Sequence, residues 1–543
     1  MNRTNDTIAM IRFFVSFQMF RGIFLGVLLS LLCGLKRECA VGVDQIRKIL
    51  CAGLAYLTIP SALFCFSLPL SLLQRAVLCL LIVYGFFNAV RRIVKSETLL
   101  RPGHEYKLRL DWFLMSIALL ALNHGAVFFD LSVVGDWHKH RSVLMSLYDC
   151  PWDPLLCTGF DCSGQVVPGT RLVYYYAMYL PGVYVCKLLG GLVSSLPAPS
   201  IWGFLSTSFL IWNLLGVAII FLLLPVVCRE LFRPADNGPW GLFYPALVFF
   251  AGMDYWFIWI AKRTWLVGHA EWGAAQYNAQ ISSFISAWSW VPHQLVVTFL
   301  GVVFLALFRK NFSLFPFCLW TVFLLSGASL AWVGSIPFLA YFCVSRLIGV
   351  RRSLSFKQAG EFFSANSMNI LSGLFVTAAI FLFYSTKVEA EGFDILLTRA
   401  KLYDFFLFHF IEFYPAFMLG VAYYMIRRSF PPIIGFSFLS IFVISAFHGG
   451  NWNDLVMRGS LPALALIMIF CASTVQTVVH EKRAAPYILA IITLLLTFPL
   501  FLNEYCVALE GMHPQLENGY AVYMQYAGDG RVRGILRLFN LAH

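Results

Sequence analysis

Charge is what this sequence has least of. Only 12% of its 543 residues are Asp, Glu, Lys or Arg, about half the share found in a water-soluble domain. With 60% hydrophobic residues and a mean hydropathy of +0.76, that deficit excludes a soluble globular domain and predicts a polytopic membrane protein. Chemistry motifs are missing as well. The chain has no Walker A sequence, no G-x-S-x-G, no HExxH and no pair of CxxC motifs, so ATP-driven, hydrolase-elbow and zincin chemistry have no foothold. It has no internal repeat and no low-complexity segment. No small-residue cleavage site follows MNRTNDTIAMIRFF, and a removable signal peptide is not expected.

What charge there is leans basic, with 39 Lys and Arg against 27 Asp and Glu. The cations form short clusters between apolar runs, not a basic face interleaved with aromatics, so nucleic acid is set aside as a partner. Most of the 14 cysteines lie inside apolar segments, where Cys acts as a small hydrophobe. Cys150, Cys157 and Cys162 share one loop. A Cys157–Cys162 disulfide and three unpaired thiols are equally open there.

A spanning helix needs about 20 mostly apolar residues. Candidate spans fall near 12–34, 49–70, 76–91, 112–131, 201–228, 240–257, 292–308, 313–330, 331–345, 368–385, 404–426, 432–447, 461–479 and 486–503, a total of roughly 13–14. Arg12 and Arg21 interrupt the first, so it could instead lie in the interface. Basic clusters at Arg91–Arg109, Arg229/Arg233, Arg309/Lys310, Arg346–Lys357, Arg427/Arg428 and Lys482/Arg483 then fall on one side, the cytoplasmic one. The opposite side receives 132–200, 258–291, 386–403, 448–460 and the tail 504–543. Counting RLVYYYAMYLPGVYVCKLLGG as a span would invert every later loop. It is expected instead as an amphipathic helix on the outer interface, with Tyr174, Tyr175, Tyr176 and Tyr179 at headgroup level.

The outer loops hold three polar constellations. The first, GDWHKHR, carries Asp136, His138, Lys139, His140 and Arg141 just past a span. If helical, it sets Asp136 and His140 on one face. Asp136 could be a general base for an acceptor hydroxyl, a metal ligand beside the histidines, or only a helix N-cap. The second, 252–292, carries Asp254, His269, Glu271 and a polar run to Gln280, with His293 immediately after. Aromatics mixed with amides and carboxylates suit a sugar, whose apolar face stacks and whose hydroxyls hydrogen-bond. The third, HGGNWNDLVMRGSLPAL, carries Asn453, Asp454 and Arg458. Arg458 could meet a phosphate or form an i,i+4 pair with Asp454. A transporter predicts charges at span midpoints and discontinuous helices in a repeat, and the sequence has neither a repeat nor a midspan charge cluster.

The order of these pieces resembles the GT-C superfamily of polytopic glycosyltransferases. The similarity is carried by GDWHKHR, FFAGMD, WVPHQ and NDLVMRGSLPAL over about residues 110–480, and is closest to bacterial members. The resemblance implies an all-α polytopic fold with interfacial helices in the first large outer loop. It divides the chain into extra N-terminal helices (1–110), a catalytic transmembrane core (111–480) and a last helix with an outer tail (481–543). It implies transfer of a sugar, usually with inversion, from a polyprenyl-phosphate donor to a glycan, lipid or protein acceptor, at the outer face of a bacterial inner membrane. Asp136 takes the catalytic position. His138, His140, Arg141, Asp254, His269, Glu271, His293, Asn453, Asp454 and Arg458 are expected to bind substrate, with no cofactor required and a divalent metal ion left open. In WVPHQ, His293 precedes Gln294, the reverse of the family pattern. Two alternatives stand beside it: an O-antigen-type polymerase or ligase, and a transporter of lipid or glycan.

Overall fold

The computed structural model describes residues 38–68, 70–96, 105–128, 176–189, 198–232, 240–262, 279–308, 317–350, 356–384, 393–398, 401–449 and 453–510, with isolated positions between 140 and 172, at 277 and at 527–528. The chain is mostly helical. A short strand β1 (Glu38–Val41) leads into α1 (Val43–Phe66) and α2 (Leu72–Lys95); β2 (Tyr106–Arg109) leads into α3 (Leu110–Phe128). Two-residue strands β3 (Gly159–Phe160), β4 (Val166–Val167) and β5 (Arg171–Leu172) precede a 3-10 turn at Ala177–Tyr179 and α4 (Leu180–Leu188). Next come α5 (Ala198–Phe232), α6 (Phe243–Phe249), α7 (Asp254–Lys262), α8 (Phe284–Trp290), α9 (Pro292–Phe308), α10 (Phe317–Gly327), α11 (Ser329–Val350) and α12 (Phe356–Tyr384). The last third holds β6 (Phe393–Ile395), α13 (Leu402–Arg427), α14 (Pro432–Ile444), β7 (Phe447–Gly449), α15 (Asp454–Gly459), α16 (Leu461–Glu481), α17 (Ala484–Glu510) and β8 (Ala527–Gly528).

Every expected span from 49–70 onward falls on helix; the first, 12–34, lies outside the described residues. Length is more restrictive. Among the described residues, six helices are long and apolar enough to cross a membrane, or seven if the bent pair α6–α7 is one span, against the 13–14 spans expected. At 1.5 Å per residue, the 13 residues of α14 reach about 20 Å, short of a hydrocarbon core about 30 Å thick. The helix α16 is the centre of the bundle, with 89% of its membrane window buried, against 28% for α2 and 33% for α17. Peripheral helices turn large apolar side chains outward, among them Leu73, Leu80 and Phe87 of α2 and Leu371 and Phe375 of α12. Water would penalise such a face; lipid does not.

Polar groups in the interior close on local partners. Hydroxyls of Thr58, Ser61, Ser437, Thr474 and Thr477 each donate to the carbonyl four residues back, at 2.7–2.9 Å, which removes an unsatisfied donor from an apolar setting. Ser71 caps α2 through a reciprocal pair with Gln74, as a serine three residues ahead of a glutamine predicts.

Loops at each end of the bundle pair with one another. At the end assigned as cytoplasmic, β1 and β2 are antiparallel, Trp240 N–H donates to the Lys107 carbonyl at 2.7 Å, and the Arg229 guanidinium donates to the Glu105 carbonyl. At the opposite end β5 pairs with β8 and β6 with β7. The segment near 171–191 is no span: α4 has only 9 residues. Its tyrosines differ from expectation. Tyr176 and Tyr179 are buried, because the turn tucks under the outer loops, where the Tyr176 hydroxyl meets Ser67 Oγ at 2.8 Å; Tyr174 and Tyr175 lie outside the described residues.

The tightest backbone approach joins α11 to α15. A Cβ at Gly334 would collide with the carbonyl oxygen of Gly459. Gly334→Val should therefore destabilise the fold by about 1–3 kcal/mol, the usual cost of overpacking. A lowered thermal midpoint in detergent checks this, and an unchanged midpoint contradicts it.

Candidate functional site

Three polar groupings occupy the end of the bundle where the sequence placed its constellations, or the interior just beneath it. The first joins residues nominated separately. His140 is fully buried; its Nδ1 lies 2.5 Å from the Tyr179 hydroxyl and its Nε2 2.7 Å from the Trp290 carbonyl. His293, also fully buried at the start of α9, stands edge-on to His140 with ring centroids 5.2 Å apart. Its Nε2 is 3.5 Å from the same Tyr179 hydroxyl. Phe209 of α5 stacks on Tyr179 at 4.8 Å. The aromatic run of the outer segment thus delivers a hydroxyl between two imidazoles.

The second grouping lies at the break between α6 and α7, which are bent by 40°. The Met253 amide donates to the Ile411 carbonyl of α13 at 2.9 Å, tying the break to that helix. Asp254 opens α7, and Glu412 of α13 faces the same spot; both are buried. A Cβ at Gly252 would sit 2.7 Å from Asp254 Oδ2 and 2.8 Å from Glu412 Oε2, so glycine leaves the room both carboxyl groups use. Asp254 is one of the residues nominated from the sequence; its neighbourhood with Glu412 at a bent helix is what the structure adds. Glu412 was not nominated. An acid inside LFHFIEFYPAF was a legible signal, since an ionisable residue within a span is costly unless it has a task.

The third grouping folds the loop before α16. The imidazole of His409 donates from Nδ1 to the Phe405 carbonyl at 2.8 Å and meets Ser445 Oγ at Nε2, also at 2.8 Å. The Tyr277 hydroxyl donates to the Ser445 carbonyl at 3.0 Å, and burial pushes that phenol up from its ordinary value, which keeps it a donor. One residue on, the Ala446 carbonyl accepts the amides of Leu396 and Leu397. Asn453 is buried and left-handed, at φ 53°; its Oδ1 accepts the Gly449 amide and its Nδ2 donates to the Phe447 carbonyl. Arg458 lies 3.1 Å from Asp454, their side chains 4% and 23% exposed. Of the two readings of this motif, the i,i+4 pair is formed, and Asn453 spends its amide on the turn that presents it.

Asp136, His138, Lys139, Arg141, His269, Glu271, Cys150, Cys157 and Cys162 lie outside the described residues. Among the described residues no group of three or more His, Cys, Asp or Glu is arranged to hold a metal ion.

Asn453 gives a separable prediction. Asn453→Gly keeps the left-handed backbone and loses only the amide contacts, whereas Asn453→Ala loses both. The alanine variant should melt lower, the glycine variant recovering about 0.5–1 kcal/mol of the loss. Equal midpoints would show that the backbone conformation does not matter there.

No family model matches the chain, and neither a curated protein nor a solved structure matches it.

Proposed function

We propose that the chain is a membrane glycosyltransferase, moving a sugar from a polyprenyl-phosphate donor to an acceptor on the extracytoplasmic side of a bacterial inner membrane. The observation that carries the reading is convergence. His140 of the first outer loop meets Trp290 and His293 at the far end of the second, and Tyr277 of the second meets Ser445 beside the third. Residues set far apart in sequence, two of them (His140 and His293) chosen for sugar chemistry, thus pack together beside an apolar bundle. A donor with a lipid tail and a polar head needs both surfaces at once.

In this reading Asp136 is the base that takes the proton of the acceptor hydroxyl as it attacks the anomeric carbon and lipid phosphate leaves. Arg458 belongs near the leaving phosphate, where a planar guanidinium stabilises developing charge. His138, Arg141, Asp254, His269 and Glu271 contribute sugar contacts. Acting outside the cytoplasm, the enzyme draws its energy from the donor's own phosphate bond, in keeping with the lack of an ATP motif. The Asp136→Asn protein should fold, yet transfer sugar at least about 100-fold more slowly than wild type, the usual span of a lost general base. Chromatographic assay of the glycosylated product checks this, and a fully active variant contradicts the proposal.

One observation favours a second reading. A helix broken beneath the outer layer, with Asp254 and Glu412 buried at the break, is also how transporters build sites for coupling ions. Under that reading Glu412→Gln abolishes uptake of a lipid or glycan into proteoliposomes, and Asp136→Asn does not. Under the glycosyltransferase reading no uptake is seen at all.

A further inference from the structure

His140 spends both ring nitrogens inside the protein. Its Nε2 faces the Trp290 carbonyl at 2.7 Å. A carbonyl only accepts, so Nε2 carries the hydrogen. In a neutral imidazole the other nitrogen is then an acceptor, and what it faces, at 2.5 Å, is the Tyr179 hydroxyl. The phenol must therefore donate. That commits its single proton to His140; His293 Nε2 lies 3.5 Å from the phenol oxygen and 3.4 Å from Gln294 Nε2. The phenol ring is itself fixed, fully buried and stacked on Phe209 at an interplanar angle of 14°. Donation runs in one direction, from Tyr179 to His140 to the Trp290 carbonyl, and crosses three segments that are distant in sequence.

A proton relay would need an end that can take the proton, and a backbone carbonyl cannot. The chain is a latch. Neither nitrogen of His140 is available to a sugar, and the residue stands four positions after Asp136 in the sequence. We infer that Tyr179 is a positioning residue for glycosyl transfer: its hydroxyl fixes the tautomer and ring orientation of His140, and so holds His140 against the α8–α9 junction. The inference rests on the glycosyltransferase reading. It moves His140 from the substrate-binding set to the support beneath it.

The test uses the full chain in lipid nanodiscs, with a panel of undecaprenyl-phosphate monosaccharides as donors and released sugar as the readout. Tyr179→Phe keeps the ring and its stack and deletes only the hydroxyl. Its kcat should fall by about 10- to 100-fold, the scale of a small misplacement of a reacting group, with KM for the donor unchanged. His140→Gln, with its amide nitrogen in the place of Nε2, keeps a donor for the Trp290 carbonyl and puts no acceptor where Nδ1 meets Tyr179. It should lose a similar factor, and the double variant no more than the worse single, because both break one hydrogen bond. A Tyr179→Phe protein with wild-type kcat overturns the inference, as do losses that multiply in the double variant, or a fall in kcat matched by the fall in folded protein.

A second readout needs no turnover. 15N-histidine solid-state spectra of the wild type, assigned with His140→Gln, should show His140 protonated at Nε2 and a Nδ1 resonance that shifts in Tyr179→Phe. Protonation at Nδ1 in the wild type overturns the inference whatever the activity. An active Asp136→Asn protein, by contrast, defeats the glycosyltransferase reading while the spectra still decide the latch.

Discussion

Hydrocarbon offers a polar group no partner, so the protein itself must satisfy the backbone and most buried side-chain donors and acceptors of this bundle. That constraint shapes the interior at each level. Threonine and serine hydroxyls fold back on their own helices. Tryptophan indoles reach helix carbonyls across the bundle, as Trp288 does to Leu120 and Trp320 to Gly301. At the bundle ends, where helices stop and backbone groups lose their partners, loops pair with loops. The outer polar layer follows from the same rule: His140, Asn453 and Ser445 each close a circuit that would otherwise leave buried groups unsatisfied.

Such closure also positions side chains. A side chain held by two hydrogen bonds, as His140 and Asn453 are, has little freedom left, and the residues it carries along the chain inherit that order. The layer is therefore a framework. The residues that fill its hydrogen bonds differ from those left to meet a ligand, and the two classes are easily confused when only residue types are known. Asp254 and Glu412 stand apart from both, because they lie beneath the layer at a broken helix where no loop needs them.

Much of the fold was legible in the sequence, because apolar length and basic clustering report directly on membrane helices and their sides. Helix positions from residue 49 onward follow from that signal. Individual helix lengths do not, since α10 stops at Gly327 and α14 at Ile444, inside apolar runs that continue past them. The convergence of His140 on His293 was legible only as membership of loops on one side. The Tyr179 hydroxyl between them was hidden, because a tyrosine-rich segment near a membrane reads equally well as a headgroup anchor. Asn453 looked like a ligand residue because the turn that consumes its amide needs a left-handed residue at a position that no periodicity marks. Glu412 escaped notice because the aromatic and aliphatic neighbours in LFHFIEFYPAF outweigh one carboxylate in any hydropathy average.

The account depends on the nature of the lipid that occupies the interface between apolar bundle and polar layer. Mass spectrometry of lipid extracted from the purified full-length protein tests it most directly. The account predicts polyprenyl phosphate, with or without its sugar, enriched over its share of the membrane. Ordinary phospholipid alone, after mild extraction, would contradict it.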